Sequence, residues 1–283
     1  MSASAGGMRA VVDQRVLVNL GCGSAWHAAW RNYDVGPSCP EVQYADLRNG
    51  IPLDDAACDA VYHSHVLEHL QHSAGVAFMA ECYRVLRSGG TLRVVTPDLE
   101  TIALSYLAAL GVAVPGGWSF PYDCAVLEMY DQTVREASGG EMGAVMQRAS
   151  PEETAVICSR VGSSPLRAVV PRNAPLIARA SQAVRARGSR LRDWAARLIL
   201  SLVYGESGPA ALEVGRFRQS GEVHQWMYDR FSLRRLMTDT GFVDIRQCAA
   251  GESRIVGFNE FALDVQNGRV RKPDSIFMEG SRP

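Results

Sequence analysis

Short apolar runs alternate with turns and with a helical stretch along the first hundred residues. The runs with the length and composition of buried strands lie at residues 16–20, 42–46, 60–63 and 91–95. Before the last run, apolar residues recur at three- and four-residue steps, at Val76, Met79, Tyr83 and Leu86. These steps predict a helix with one apolar face, which Gly89 and Gly90 would end. Strands that alternate with helices are typical of a parallel sheet, so we predict an α/β fold with a doubly wound sheet.

The rest of the chain divides into a helical stretch and a return to α/β character. From residue 99 to 215 the pattern is mainly helical, with breaks at proline and glycine and few strand signals. Farther along, Ser232 and Gly241 are expected to begin and end a helix, with strands at 242–248 and 275–278. The predicted parts are the first part of an α/β core (1–98), a helical insertion (99–215) and the C-terminal part of the core (216–283).

Composition excludes several classes of protein. With 47% hydrophobic and 21% charged residues the chain is expected to be globular, and its net charge of -1 gives no sign of a nucleic-acid partner. Its seven cysteines are scattered without a C-x-x-C pair, which argues against a disulfide framework and a zinc ribbon. We find no apolar stretch of signal-peptide length at the N-terminus and no run near the ~18 residues of a membrane span. We therefore expect a cytoplasmic protein without a transmembrane segment.

Positive charge is concentrated in one part of the insertion. Nine arginines lie between Arg160 and Arg197, although the chain as a whole is almost neutral. Apolar residues with partly helical spacing overlap this stretch, at Leu191, Trp194, Leu198 and Leu202. Four interpretations stay open: a contact between two copies of the chain, a helix at a membrane surface, a clamp for an anionic acceptor, and a solvated lid helix. A homodimer formed through the insertion is the protein partner that we carry forward.

A glycine turn follows the first predicted strand. Asn19-Leu-Gly21-Cys-Gly23 lies where that strand ends, and glycines there let the backbone approach a ligand closely. Trp26 occupies the position of the third glycine in the dinucleotide fingerprint. A nicotinamide-dependent oxidoreductase is therefore disfavoured. A cofactor without phosphates would need the turn for its amino-acid end and acids at later strand ends for its hydroxyl and amino groups.

Two acids stand at suitable places after the turn. Asp34 follows Trp30-Arg-Asn-Tyr, and Asp46 ends the second apolar run. Both are expected at the carboxyl edge of the sheet, where open α/β folds bind their ligands. Either acid alone is equally compatible with a solvated turn, but their order after the glycine turn favours a ligand site.

Several motifs, in this order, resemble class I S-adenosylmethionine-dependent methyltransferases. They are Asn19-Leu-Gly-Cys-Gly, Trp30-Arg-Asn-Tyr-Asp, Asp46-Leu with Ile51-Pro-Leu, Cys58-Asp-Ala-Val-Tyr, His65-Val-Leu-Glu-His and Arg84-Val-Leu-Arg-Ser-Gly-Gly. More narrowly, the chain resembles type 11-like methyltransferases of bacterial polysaccharide and secondary-metabolite gene clusters, whose C-terminal signature is similar to residues 215–229. The resemblance implies a Rossmann-like sheet of seven strands with a helical insertion, and S-adenosylmethionine as cofactor.

The resemblance also assigns residues to the cofactor. The cofactor-binding residues that it implies are Asn19, Gly21, Cys22 and Gly23 at the methionine end, Asp34 at the ribose, Asp46 and Leu47 at the adenine, and His65 near the methyl group. Asn19 stands where many members of the family have an acid. Only ten residues separate Gly23 from Asp34, so the first crossover helix is expected to be unusually short.

Histidines supply the candidate bases. Methyl transfer to a hydroxyl needs a positioned acceptor and a group that takes its proton, and histidine suits that task at neutral pH. Residues 63–72 contain four histidines and a glutamate, and among them we favour His65 as the base. His224 is the second candidate. The spacing matches no strong metal-ligand pattern, so no metal is predicted. The alternative that residues 63–72 only cap a helix and line the cofactor stays open.

The C-terminal signature is expected to border the acceptor. The acceptor-binding residues predicted from it are Arg216, Arg218, Tyr228 and Asp229. The resemblance further implies a biosynthetic methyltransferase that methylates an oxygen of a small-molecule or glycan acceptor, either a sugar or a specialised metabolite; oxygen is favoured only by this resemblance. The alternative is a catalytically inactive scaffold or regulator that binds S-adenosylmethionine within a biosynthetic assembly.

Overall fold

A computed structural model describes residues 15–37, 39–162 and 193–283. Its strands are β1 (Leu17–Leu20), β2 (Arg31–Asp34), β3 (Val42–Tyr44), β4 (Cys58–Ser64), β5 (Leu86–Pro97), β6 (Val243–Gln247), β7 (Val265–Gln266), β8 (Arg269–Val270) and β9 (Ser275–Ser281). Seven of them form one sheet in the order β3-β2-β1-β4-β5-β9-β6, and β7 pairs with β8. Strands β1 to β5 are parallel, whereas β9 runs antiparallel to both of its neighbours. The predicted doubly wound, seven-stranded Rossmann-like sheet is confirmed.

Helices flank this sheet and dominate the middle of the chain. They are α1 (His72–Val85), α2 (Leu99–Ala113), α3 (Phe120–Val126), α4 (Gln132–Val134), α5 (Gly140–Arg148), α6 (Pro151–Val161), α7 (193–204), α8 (Ser207–Arg218) and α9 (Arg230–Thr240). A π-helical turn, Leu127–Asp131, joins α3 to α4. Helices α2 to α8 follow β5 without an intervening strand in the described parts of that stretch, in agreement with a helical insertion. The division of the chain into three parts stays a prediction.

Two helix ends differ from those predicted from the sequence, the end of α1 and the start of α9. Helix α1 ends at Val85, and Gly89 and Gly90 lie inside β5, because the strand pairs with β4 from its first residue. Helix α9 is capped by Asp229, whose carboxylate accepts the backbone N–H groups of Phe231 and Ser232, so Ser232 occupies the third helical position. The predicted stop at its other end, Gly241, is confirmed by the glycine's left-handed conformation.

The connection from β1 to β2 contains turns instead of the expected short helix. Parallel strands usually need a crossover of a dozen residues or more, and only residues 21–30 are present here. Two buried asparagines hold the shortened connection. Asn19 Nδ2 donates to Ala25 O at 2.9 Å and to Asn32 Oδ1 at 3.1 Å, while Asn32 Nδ2 donates to His27 O at 3.0 Å. Asn19 therefore stabilises the loop that carries the glycine turn.

Apolar side chains cover both faces of the sheet. On one face α1 and α9 pack through Met79 and Leu233, both of which are fully buried. On the other face Trp30 and Tyr62 pack against Phe258. Burial on both faces explains the mainly apolar sequences of the central strands β1 and β4.

Helix α7 exposes apolar side chains in the described part of the insertion. Trp194 is 62% exposed and Leu202 is 78% exposed. Most of the arginine-rich stretch, and Leu191, lie in residues 163–192, which are outside the described residues. The homodimer therefore stays a prediction. Across the described ranges, no helix is both long and apolar enough to span a membrane. The cytoplasmic location stays a prediction.

His63, on β4, makes the stability of the fold depend on pH. Its ring is fully buried against the Phe78 ring, with 5.0 Å between centroids, and neither ring nitrogen has a hydrogen-bond partner. Burial lowers the pKa of His63 from 6.5 to about 4. The unfolded chain therefore binds a proton at a higher pH than the folded chain. The contribution of neutral His63 is fully present above pH 6.5 and is lost as the pH falls towards 4.

We expect the free energy of unfolding to fall by about 3 kcal/mol over this range because of His63 alone, at about 1.4 kcal/mol per pKa unit. Urea unfolding of the wild type and of His63→Leu at pH 7, 5.5 and 4.5 measures this contribution. The variant should lose less stability than the wild type on acidification, since leucine has no proton to bind. Equal losses in the two proteins would contradict the prediction.

Candidate active site

A cavity of about 500 Å³ opens at the carboxyl ends of β1, β2 and β4. Five of the residues predicted to bind the cofactor line it: Gly21, Asp34, Asp46, Leu47 and His65. Its volume is within the range of small-molecule and cofactor sites. The cavity lies where the strand order reverses between β1 and β4, which is the usual ligand site in doubly wound sheets.

The glycine turn forms one wall of this cavity. Gly21 has a φ of +62°, and a β-carbon there would come within 2.3 Å of Val66 Cγ2, so glycine is required. Gly23 also lies in the left-handed region, and its N–H donates to Asp34 Oδ2 at 2.8 Å. Gly36 N–H donates to Asp34 Oδ1 at 2.7 Å. The Asp34 carboxylate is thus held at the cavity wall beside the turn.

Asn19, Cys22 and Gly23 support the turn without lining the cavity. Asn19 and Cys22 are buried, and burial raises the pKa of the Cys22 thiol to about 12, which keeps it protonated. Cys22 N–H and Gly21 N–H both donate to Tyr33 O, so the turn is tied to the end of β2. These contacts position the turn, and binding of the cofactor by these three residues stays a prediction.

Arg48 connects the floor of the cavity to the segment that covers it. The guanidinium pairs with the Asp46 carboxylate at 2.8 Å, and this hydrogen bonding lowers the pKa of Asp46. Arg48 Nη1 also donates to Gln219 O at 3.4 Å. Arg218 lines the same cavity, so the structure places this predicted acceptor residue on the cofactor side. Sequence reasoning missed Arg48, although it follows the acid by only two residues.

A second cavity, of about 720 Å³, adjoins the first. Its walls come from β5, the α4–α5 region, the segment before α9 and the residues before β9, with polar side chains from Gln132, Arg135, Glu222, His224, Lys272 and Asp274. His65 and His69 line both cavities. A molecule in either cavity would therefore face the other across these two histidines.

Glu68 is a buried carboxylate at the centre of the histidines. It is 1% exposed, and its Oε1 lies 3.1 Å from His65 Nδ1 and 3.9 Å from His69 Nε2. Its Oε2 accepts the hydroxyl of Thr96 at 3.1 Å. Burial would raise the pKa of Glu68, but His65, His69 and His224 together hold it well below its ordinary value. The carboxylate is therefore ionised at neutral pH and places negative charge between the cavities.

His65 has an unusual backbone conformation. Its φ is +55°, which a side-chain-bearing residue rarely adopts. Its N–H donates to Val95 O, and its Nε2 lies 2.9 Å from Ser275 Oγ. Contacts to Glu68 on one ring nitrogen and Ser275 on the other fix the ring at the junction of the cavities. A strained backbone held by such contacts is typical of functional positions.

His224 is brought to the same place from a distant part of the sequence. Its ring lies against that of His69, with 4.8 Å between centroids, and it lines the second cavity. Its backbone N–H donates to Gln132 O at 2.8 Å. Burial lowers the pKa of His224 to about 3, so the ring is neutral at physiological pH. The structure therefore unites both predicted catalytic histidines around Glu68.

Three residues predicted to bind the acceptor have other contacts. Arg216 is paired with Asp193 at 2.8 Å on the surface. Tyr228 is buried, and its hydroxyl has no hydrogen-bond partner. Asp229 caps α9 through its carboxylate. None of these three lines either cavity.

Comparison with known proteins shows which family part of this chain is similar to. A family model described as "Methyltransferase domain" matches residues 23–94. A "Probable S-adenosylmethionine-dependent methyltransferase" of Mycolicibacterium smegmatis is 44% identical over 62 residues, which are 20% of this chain and 23% of that protein. One from Mycobacterium tuberculosis is 44% identical over 63 residues, 22% of each chain. The chain thus covers less than a quarter of the length of these relatives.

A solved structure is similar over a longer stretch at lower identity. It is described as a SAM-dependent methyltransferase, possible histamine N-methyltransferase, from Thermotoga maritima, and the similarity covers 96% of this chain and 84% of that one. The identity is 12% and the TM-score is 0.41. The family match over residues 23–94 and the sequence relatives, on a sheet of this strand order, support a class I S-adenosylmethionine-dependent methyltransferase domain in this part of the chain.

Proposed function

We propose that the chain transfers a methyl group from S-adenosylmethionine to an oxygen of a sugar, glycan or specialised metabolite. The observation that carries this proposal is the junction of two cavities at His65 and His69. Methyl transfer is an in-line displacement, so donor and acceptor must meet at one point from opposite sides. Two adjoining cavities with a shared wall meet this requirement.

The residues of the first cavity fit S-adenosylmethionine. When bound, the cofactor supplies an electrophilic methyl group on a positively charged sulfonium. Asp34 can accept hydrogen bonds from ribose hydroxyls, and Asp46 with Leu47 can hold the adenine end. Gly21 lets the methionine end approach the backbone.

The second cavity fits a hydroxylated acceptor. Its polar side chains include the acids Glu222 and Asp274 and the bases Arg135 and Lys272. Arg135 lies 3.5 Å from Glu222, so the charges are mixed instead of forming one cationic clamp. Mixed donors and acceptors of hydrogen bonds suit the many hydroxyls of a sugar, each of which donates and accepts. This composition favours a neutral hydroxylated acceptor over a strongly anionic one.

Asp34→Asn should weaken the binding of S-adenosylmethionine by about 10- to 100-fold. The variant keeps the shape of the side chain but removes its charge and replaces one of the two oxygens that accept the N–H groups of Gly23 and Gly36. Hydrogen bonds are worth about 1.5–3 kcal/mol when one partner is charged. Calorimetric titration with S-adenosylmethionine, S-adenosylhomocysteine and NADH measures the affinity and its selectivity. Asp54→Asn, an exposed acid outside the cavity, is the matched control.

Three outcomes separate the alternatives. Selective binding of the first two ligands by the wild type, weakened only in Asp34→Asn, supports the cofactor assignment. Equal affinity in Asp34→Asn and Asp54→Asn contradicts the role of Asp34. Selective binding without formation of S-adenosylhomocysteine from any hydroxylated acceptor favours the inactive scaffold.

A further inference from the structure

Three side chains between the two cavities form a set suited to a metal ion. Glu68, His69 and His224 each offer one ligand atom, and these atoms lie within 4.8 Å of one another. Two imidazoles and a carboxylate are a common ligand set for zinc and other divalent transition-metal ions. The sequence could not indicate this set, because 155 positions separate His69 from His224.

Two polar atoms of the set are buried and lack hydrogen-bond partners. Glu68 Oε1 and His224 Nδ1 make no hydrogen bond, and their side chains belong to residues that are only 1% and 7% exposed. Buried polar atoms without partners cost free energy. Oε1 also lies near His65 Nδ1, but a carboxylate oxygen has lone pairs for both a hydrogen bond and an ion. A bound cation would satisfy Glu68 Oε1 and provide a charge opposite to that of the carboxylate.

Neighbouring hydrogen-bonding groups orient His69 and Glu68 in the way that is usual for metal ligands. His69 Nδ1 lies 3.4 Å from Val223 O, so a proton on Nδ1 can be donated to that carbonyl, which leaves the Nε2 lone pair on the side of Glu68. Thr96 donates to Glu68 Oε2 and leaves Oε1 towards the histidines. A hydrogen bond from the second ring nitrogen to a carbonyl is typical of metal-binding histidines.

Backbone hydrogen bonds join the two halves of the set. The N–H groups of Gln225 and Trp226 both donate to Glu68 O, at 2.6 Å and 3.2 Å. His224 is thereby held beside Glu68 by the main chain. Ligand atoms of a tetrahedral zinc site are roughly 3.4 Å apart, given bonds of about 2.1 Å. The side chains would need to close by about an ångström, and His69 is the least buried of the three.

We propose that Glu68, His69 and His224 bind a divalent transition-metal ion, with zinc as the best-fitting example, at the junction of the two cavities. Three protein ligands leave at least one position open, as in catalytic zinc sites. That position faces the second cavity, which His69 and His224 both line. The ion would bind an acceptor hydroxyl and favour its deprotonation. This role rests on the proposed function, but the binding of the ion does not.

Metal content measures the proposal directly. Tag-free protein is freed of metal with a chelator, incubated with zinc chloride, passed through a desalting column and analysed by plasma mass spectrometry. We expect about one zinc ion per wild-type chain and a loss of most of it in His69→Ala and in His224→Ala. The matched control is His72→Ala, which removes an exposed histidine three residues from His69 and should keep its zinc. Cobalt substitution should give an absorption spectrum of a four- or five-coordinate site in the wild type and in His72→Ala, and in neither of the other two variants.

Titration of the same samples with S-adenosylmethionine keeps the two proposals apart. Equal zinc content in the wild type and in the His69→Ala/His224→Ala double variant overturns the metal site, whether or not the cofactor binds. Zinc binding that depends on the two histidines without any cofactor binding supports the metal site and overturns the proposed function. Circular dichroism of each variant confirms that a loss of zinc does not come from unfolding.

Discussion

Arg93→Met should lower the free energy of unfolding by about 3–5 kcal/mol, the usual cost of removing one partner from a buried ion pair. Arg93 lies at the centre of β5 and is fully buried. Its guanidinium contacts Asp264 at 2.7 Å and Glu279 at 2.9 Å, and both acids are also buried. Methionine fills much of the same volume but leaves Asp264 without its cation and Glu279 with only the partly exposed Arg246. One arginine thus joins β5, β9 and the chain before β7.

Further contacts strengthen this centre. Arg93 donates to the carbonyl oxygens of Ala250 and Glu252, and its guanidinium lies 4.6 Å from the centre of the Phe258 ring. Burial raises the pKa of Asp264 despite the nearby arginine, and the Tyr62 hydroxyl donates to the same carboxylate at 2.6 Å. Removal of the cation therefore also affects a loop that packs on one face of the sheet.

Urea unfolding followed by circular dichroism measures the effect. Arg246→Met is the matched control, because Arg246 contacts the same Glu279 at 3.2 Å but is 43% exposed. Partly exposed ion pairs contribute about 1 kcal/mol or less. A similar, small loss in both variants would show that the buried network contributes little. A variant of Arg93 that does not fold at all agrees with the prediction if Arg246→Met folds normally.

The centre of the sheet could be predicted from the sequence because residues 17–20 and 60–63 are buried between two covered faces, which leaves a mainly apolar run. Strand β2, with the sequence Arg-Asn-Tyr-Asp, gave no such signal. The predicted end of α1 was wrong, because β5 begins to pair with β4 at Leu86, before the helix could reach the stop expected at Gly89. Arg93 gave no signal of its own: a single arginine in a strand does not reveal the two acids, more than 170 positions away, that neutralise it.

The residue pattern predicts the part of the candidate site whose residues lie at strand ends. Gly21, Asp34 and Asp46 belong to this group, because the carboxyl ends of parallel strands lie along one edge of the sheet. The proximity of His224 to Glu68 depends instead on the path of the chain from the insertion back to the sheet. The local pattern of apolar and polar residues does not encode that path. The same return carries Arg218 to the cofactor cavity and uses Asp229 as a helix cap. Contacts that depend on tertiary packing could therefore not be predicted from the sequence pattern.

His65→Asn should reduce turnover by about 10²- to 10⁴-fold, the usual contribution of a positioned acid or base, while affinity for S-adenosylmethionine changes little. His65 is the better placed of the two candidate bases, because it borders both cavities whereas His224 borders only the second. Glu68 and Ser275 contact its two ring nitrogens and fix its orientation. Asparagine tolerates the left-handed backbone of this position better than other residues that lack a base.

The measurement is the rate of S-adenosylhomocysteine formation with a panel of sugars and hydroxylated metabolites, followed by kcat and KM with the best acceptor. A lost base lowers kcat and leaves KM for the cofactor nearly unchanged, because it acts in the transition state and not in binding. His72→Asn is the control, since that ring is exposed at the start of α1 and lines neither cavity. A kcat in His65→Asn within about threefold of that of His72→Asn would exclude His65 as the base, given the size of the expected effect. His224→Asn is then tested by the same assay with its zinc content measured in parallel. A loss of turnover alone indicates a base, and a loss of zinc together with turnover indicates a metal ligand.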